Sequence, residues 1–150
     1  MKLQELFKPE AISLELEARG KEDVLEELAG LVDLGERDRT TLIKTLRRRE
    51  NLGSTGIGKG IAIPHCRSLV VSHLHLAYGR SRSGVDFRAI DGAPVHNFFL
   101  IVAPPLEVSN QYLPVLGKIA QFAKDPEVPG LLAGIDSPAQ FLDLVRERTG

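Results

Sequence analysis

His65 stands directly after Pro64 at the end of a short apolar run, Ile61-Ala62-Ile63, and Gly53-Ser54-Thr55-Gly56-Ile57-Gly58-Lys59-Gly60 precedes that run. Glycine at this density lets backbone N–H groups turn toward one point, because no Cβ blocks φ > 0 or the approach of an anion. The stretch has the composition of a loop that cradles a phosphate, followed by a histidine in a fixed position. Pro64 is expected to stop the strand ladder and fix φ, so that His65 leaves the strand end in a defined direction. A neutral imidazole is a good nucleophile near pH 7, since its unperturbed pKa is about 6.5. Two familiar phosphate loops do not fit. Gly56-Ile57-Gly58-Lys59-Gly60 lacks the Walker spacing and the Ser or Thr after lysine, and no helix-forming sequence follows it. A plain glycine-rich turn entering a strand has the same composition, so the glycines alone leave both readings open.

Other chemistry-bearing residues carry weaker signals. Arg47-Arg48-Arg49 leads into the glycine stretch, and a solvated helix surface accounts for the first two. Cys66 reads as a small, half-buried filler in preference to a redox switch. His73 and His75 lie two apart on a predicted strand and share a face; the ligand clusters and spacing of a zinc site are missing, so no metal is assigned. His96 at a strand start receives no role.

The elements that must position His65 follow from hydrophobic periodicity. Ile12, Leu14 and Leu16 alternate with polar residues as in a half-buried strand. Val24, Leu25, Leu28, Leu31 and Val32 fall on one helical face, with Gly35 just past the helix end. A second helix from about Arg37 to Glu50 buries Leu42, Ile43 and Leu46 and delivers Arg49 to the glycine stretch. After His65 a loop is expected to about Val71, then a strand through Leu74, Leu76 and Tyr78. Val95 through Val102 is nearly continuously apolar, as in a central strand covered on both faces. Pro104-Pro105 ends it. A helix from about Asn110 carries Leu113, Leu116, Ile119, Ala120 and Phe122 or Ala123, a short helix follows between turns, and Ser137-Pro138-Ala139-Gln140 caps a last helix with Phe141, Leu142 and Val145 inside. This order implies an α+β chain built as a three-layer α/β/α sandwich, a mixed central β-sheet with helices on both faces.

The 150 residues are expected to form one domain over 1–150, large enough for a real core. A formal net charge of -1 with 26% charged residues gives no field for nucleic acid or an anionic membrane. The single cysteine excludes an internal disulfide and fits a reducing compartment. Met1 to Leu6 has no apolar signal core and no stretch approaches a membrane span, so a cytoplasmic protein without membrane insertion is expected.

Glu50, Ile57-Gly58 and Ile61-Ala62-Ile63-Pro64-His65-Cys66 resemble the active-site signature of the type-2 enzyme IIA domains of the phosphoenolpyruvate-dependent sugar phosphotransferase system, the fructose, mannitol and nitrogen-regulatory family. Arg49-Glu50, Gly53-Ser54-Thr55-Gly56 and Gly60 are especially similar to the nitrogen-regulatory branch. Asp86-Phe87 and Ile90-Asp91-Gly92-Ala93-Pro94-Val95 extend the resemblance to nearly the whole chain. It implies the three-layer fold and a phosphoryl acceptor at His65, charged by an HPr-like phosphocarrier protein, with no cofactor. It also implies phosphoryl-binding roles for Arg49, Ser54, Thr55, Gly58 and Gly60. Glu50 would orient Arg49 or cap backbone. The end of the chain at Gly150, with no linker or permease domain, is read as a free-standing protein.

The family usually carries a second active-site histidine at the position matched here by Tyr112, and a one-residue slip would put Gln111 or Leu113 there, neither of them histidine. Tyrosine donates a hydrogen bond but carries no positive charge at pH 7. Three readings follow. The first is a regulatory protein that carries phosphohistidine, signals through protein contacts and has no free-standing turnover. The second is a binding module of the same fold that is never phosphorylated. The third is a sugar-specific IIA component feeding a IIB partner.

Overall fold

In a computed structural model, which describes residues 2–106 and 110–149, the elements are β1 (Phe7–Ser13), α1 (Lys21–Ala29), α2 (Glu36–Asn51), β2 (Gly56–Gly58), β3 (Ile61–Ala62), β4 (His65–Arg67), β5 (His75–Val85), β6 (Val95–Ala103), α3 (Tyr112–Lys124), α4 (Val128–Ala133) and α5 (Pro138–Thr149), with a 3-10 turn at Leu3–Leu6 before β1. Met1 and Gly150, on which the reading of the chain ends rests, lie outside the described residues.

The apolar run beginning at Val95 forms β6, buried along its length except at His96. Six strands make one sheet in the order β1-β5-β6-β3-β2, with β4 also paired to β6. β5 runs antiparallel to β6, whereas β3 and β4 run parallel to it, so the sheet is mixed. The pleat sends alternate side chains to opposite faces. Phe99, Ile101, Leu76 and Tyr78 pack with Val115, Ile119, Phe122, Leu132 and Phe141 on one side. Phe98, Leu100, Val102 and Ala77 pack with Val24, Leu25, Leu28, Leu42 and Leu46 on the other. The mixed sheet flanked by helices is therefore the architecture expected from the sequence. Among the described residues no helix is long and apolar enough to cross a membrane.

Local chemistry explains the helix limits. Glu22 and Asp23 lie in the first turn of α1, and α2 has Glu36 and Asp38 at its start with Arg48 and Arg49 at its end, each sign favourable for the helix dipole. At α5, Ser137 Oγ accepts from the Gln140 amide at 3.2 Å, while Gln140 Oε1 accepts from Asp136 N and not from the amide of Ser137. The reciprocal arm of the expected cap is thus displaced by one residue.

Three boundaries differ from the periodicity. β1 ends at Ser13, where the alternation begins, although Leu16 N still donates to Arg80 O at 2.8 Å and keeps the chain beside β5. Cys66 and Arg67 continue strand β4 from His65, so the loop expected directly after His65 begins only at Ser68. The inward face of α3 is Tyr112, Val115, Ile119, Phe122 and Ala123, leaving Leu113 65% exposed. Shifting the stripe by one residue turns a helix by about 100°, so Leu113 points away from the sheet.

Phe141 is the keystone of the α5 side. Its ring stacks on Tyr78 with centroids 4.3 Å apart and meets Phe7 edge-on at 5.1 Å, all in the interior. Phe141→Ala should cost about 3–5 kcal/mol in urea unfolding, whereas Leu113→Ala, on the exposed side of α3, should stay within about 0.5 kcal/mol of wild type; equal losses would contradict this core.

Candidate functional site

His65 opens β4, opposite Ile101 of β6. The ladder survives the proline: Ile63 N donates to Thr55 O at 3.0 Å and Ile101 N donates to Pro64 O at 3.0 Å. Pro64 lacks only a donor, so its carbonyl carries the pairing on, and His65 is held within the sheet instead of leaving its end. The half-buried imidazole has Nδ1 at 2.7 Å from the carbonyl oxygen of Ile63. A carbonyl only accepts, so Nδ1 carries the hydrogen and Nε2 keeps the lone pair of the neutral ring.

Tyr112, the first residue of α3, places its ring centroid 6.3 Å from that of His65. The Arg67 guanidinium lies 4.4 Å over the Tyr112 ring, a cation–π contact, and Arg67 Nη1 donates to Pro104 O at 2.9 Å. Burial, and then Cys66, push the Tyr112 phenol above its ordinary range against the pull of Arg67 and Arg49. The phenol is therefore neutral at pH 7, and both arginines act on it. Arg67 was missed from the sequence. Its signal was the strand period, since a residue two after His65 on one strand faces the same side.

Arg49, in the last turn of α2, donates from Nη1 to Gly53 O at 2.8 Å. Its neighbour Glu50 turns inward, with a side chain 2% exposed. That carboxylate accepts from Thr55 N at 3.0 and 3.2 Å and from Thr55 Oγ1 at 2.5 Å, and pairs with Lys21 Nζ at 3.4 Å. Lys21 also donates to Phe87 O at 3.3 Å and lies 4.6 Å over the Phe87 ring. Glu50 thus caps backbone and joins α1 and α2 to the approach to β2.

These bonds change the reading of the two hydroxyls. Thr55 gives its hydroxyl proton to Glu50, and Ser54 Oγ donates to Phe87 O at 2.8 Å while accepting from Gly56 N at 3.0 Å. Neither hydroxyl proton is left for a phosphoryl oxygen, so both side chains shape the loop.

Gly58 and Gly60 are not brought to His65. Gly60 O accepts from His96 N at 2.8 Å and Asn97 N at 2.9 Å, whereas His65 pairs with Ile101. The four residue steps from Asn97 to Ile101 span roughly 13 Å at about 3.3 Å each. The glycines serve the β2–β3 hairpin instead. Lys59 (φ 58°) and Gly60 (φ 77°) form its two-residue turn, both in the left-handed region as a type I′ turn requires. Asp91 fixes the turn by accepting from Lys59 N and Ala93 N, each at 3.0 Å, and these bonds hold its carboxyl below the usual range. Gly56 faces Ala89 so closely that a Cβ would lie 2.8 Å from it.

The histidines without an assigned role fall elsewhere. His73 and His75 sit ring against ring at 4.3 Å near Asp33 and Lys8, and His96 Nδ1 donates to Ser81 O at 2.9 Å. Among the described residues no group of three His, Cys, Asp or Glu side chains is placed to hold a metal.

The family model for the phosphoenolpyruvate-dependent sugar phosphotransferase system, EIIA 2, matches residues 5–148. A nitrogen regulatory protein of Pseudomonas aeruginosa is 39% identical over 127 residues, covering 80% of this chain and 79% of that protein. The fructose-specific EIIABC component of the phosphotransferase system of Bacillus subtilis is 33% identical over 149 residues; these are 98% of this chain but only 23% of that protein's length. The crystal structure of nitrogen regulatory protein IIA-Ntr from Neisseria meningitidis superposes with a TM-score of 0.86 at 30% identity, over 95% of this chain and 98% of that one.

Cys66, next to His65, is 7% exposed, and burial pushes its thiol from 9.0 up to about 12. At pH 8 the native thiolate should be roughly 1,000-fold scarcer than in the unfolded chain, ten-fold for each pKa unit. Iodoacetamide followed by intact mass should therefore label the unfolded chain and leave the native protein almost untouched. Because the native pKa is the raised one, Cys66 has no effect on stability below pH 9 and lowers it as pH climbs from 9 toward 12. Rapid native labelling at pH 8 would show the thiol to be open.

Proposed function

Because this chain belongs to the phosphoenolpyruvate-dependent sugar phosphotransferase system EIIA 2 family, we propose that His65 accepts a phosphoryl group on Nε2 from the phosphohistidine of an HPr-like phosphocarrier protein and passes a signal through protein contacts in the cytoplasm. The observation that carries this reading is the bond from Nδ1–H to the Ile63 carbonyl, which leaves the Nε2 lone pair as the nucleophile. In the transfer that lone pair attacks phosphorus, the phosphorus–nitrogen bond to the carrier breaks, and its electron pair returns to the carrier imidazole. The ring of His65 gains positive character, which the Ile63 carbonyl stabilises through Nδ1–H.

Phosphoryl transfer demands alignment and neutralisation of the oxygens more than covalent work by the protein. Arg67, held on the ring of Tyr112, is the cation best supported for that task, with Arg49 second. Tyr112 then serves as the platform for a charge where a second histidine would supply its own. Ser54, Thr55 and Glu50 keep the loop in shape, and Gly58 and Gly60 build the distant hairpin.

Leu52, Leu69 and Leu113 are 84%, 90% and 65% exposed. Each lies within four residues of Arg49, His65 or Tyr112 in the sequence, which gives a partner apolar contacts at the site's edge. A phosphoryl group adds up to two negative charges there and opposes such docking, the proposed switch. The partners are the carrier and either regulated proteins or a IIB component, and similarity to both nitrogen regulatory and fructose-specific proteins supports each class. Tyr112 in place of a histidine favours one further reading, a module that signals without being phosphorylated.

Incubation with phosphoenolpyruvate, enzyme I and the phosphocarrier should add one acid-labile phosphoryl group to the wild type, read by intact mass, and none to His65→Ala. Arg67→Ala should slow uptake about 10- to 100-fold, a loss of roughly 1.4–2.8 kcal/mol of transition-state stabilisation. Tyr112→Phe, which keeps the ring under Arg67, should retain most of the rate, while Tyr112→Ala should fall with Arg67→Ala. No uptake by the wild type would select the module that is never phosphorylated.

A further inference from the structure

Arg80 and Asn97 face each other across β5 and β6 as direct register partners, so their side chains stand together on the α4 side of the sheet. Both are almost completely buried, at 3% and 4% exposure. Arg80 donates from Nε to Leu14 O at 3.1 Å and from Nη1 to Leu132 O and Ile135 O at 2.8 and 2.7 Å. Its second terminal nitrogen, Nη2, makes no hydrogen bond among the described residues. No carboxylate lies within ion-pair distance of the guanidinium among those residues either. Asn97 is in the same position. Its Oδ1 accepts from the Tyr78 hydroxyl at 2.6 Å, and its Nδ2 donors have no partner there. Neither nitrogen is sealed in protein, and both residues line a cavity of about 310 Å³.

The rest of that cavity repeats the sign of the charge. Lys59 and Arg82 line it from the exposed side, His96 and Ser81 form a wall, Pro129 and Ala133 of α4 give it an apolar side, and among the described residues no acidic one lines it. A buried cation without a counter-ion is costly, and carbonyl dipoles offset only part of that cost. Among the described residues the other buried charge, Glu50, has its cation in Lys21; Arg80 instead borders the cavity, with two donors that make no hydrogen bond among those residues.

We propose that this cavity binds a small organic carboxylate, its two oxygens taken by Arg80 Nη2 and Asn97 Nδ2. Two adjacent donors suit the two oxygens of a planar carboxylate, whereas a phosphate asks for three or more. Lys59 and Arg82 draw the anion to the mouth and receive a second acidic group, which makes a compact dicarboxylate the best fit. The site is separate from His65, roughly 13 Å away along β6 by the four-residue offset between Asn97 and Ile101. The ligand would bridge the β2–β3 hairpin, the sheet and α4.

The test is titration of the full chain with succinate, glutarate, inorganic phosphate and sodium chloride at matched ionic strength, followed by amide NMR shifts and thermal unfolding. Saturable binding of a dicarboxylate with a Kd below about 10 mM, shifts centred on Arg80, His96 and Asn97, and a rise in Tm beyond that in chloride are expected. Asn97→Asp puts a carboxylate beside Arg80 while keeping an acceptor for Tyr78, and should abolish binding. Lys59→Glu and Arg82→Glu, both at exposed positions, should each weaken it about tenfold or more without lowering the Tm of the free protein. The proposal is overturned if no carboxylate binds more tightly than chloride, if phosphate is preferred at these residues, or if Asn97→Asp binds as the wild type does.

Discussion

The arrangement depends on β6 being paired along both edges and covered on both faces. A strand so placed must be apolar nearly throughout, and from Val95 to Ala103 only His96 and Asn97 break the rule. Register then does the positioning. Parallel pairing sets His65 opposite Ile101, and antiparallel pairing sets Arg80 opposite Asn97. One strand therefore fixes the imidazole at one level of the sheet and the guanidinium cavity at another, and neither can drift without breaking ladder bonds in the core.

Electrostatics divides the interior in two. Glu50 brings a negative charge inward and is met by Lys21, the Thr55 amide and the Thr55 hydroxyl, so that the carboxylate ties α1, α2 and the loop before β2 into one knot. The desolvation cost of burying it is recovered only because every partner is in place. Arg80 brings a positive charge inward and is met by carbonyls from the chain after β1, from α4 and from Ile135, two residues beyond α4. It staples three segments to the sheet without a counter-ion among the described residues. The two groups show the same fold solving the same problem completely in one place and incompletely in the other.

How far this was legible in the sequence depended on which physical signal each residue carried. The layers followed from periodicity, because burying a face imposes a pattern, and the apolar run at Val95 announced a central strand. His65 and Arg49 were visible as residue types beside a distinctive loop, and capping of backbone was one of the two roles open to Glu50. The hidden features were those where different physics produces the same letters. Gly58 and Gly60 read as a phosphate cradle because both a cradle and a type I′ hairpin require φ > 0, and only the register separates them. Ser54 and Thr55 read as donors because a sequence lists hydroxyls without saying where their protons go. Leu113 counted as core by periodicity, yet the buried stripe of α3 begins one residue earlier, at an aromatic residue that also borders the imidazole. Arg80 carried no signal, since its burial follows from the pairing of distant strands.

On the proposed reading, Tyr112 stands where the family resemblance implies a second histidine beside His65. A histidine beside the proposed acceptor would bring donor and charge in one ring, and tyrosine brings neither charge nor a phenol easily ionised, since burial holds it protonated. It brings an aromatic face, and a guanidinium rests on that face 4.4 Å away. The charge is then supplied from β4 itself, two residues beyond His65, and is anchored at its other end by the carbonyl of Pro104. A cation held on a ring and on a carbonyl loses little further freedom when an anion arrives, so its interaction with a phosphoryl group would be spent on attraction and not on ordering. On the proposed reading the tyrosine is not a weakened histidine but half of a two-residue replacement, and the two positions are coupled: either side chain alone leaves the cation missing or unsupported.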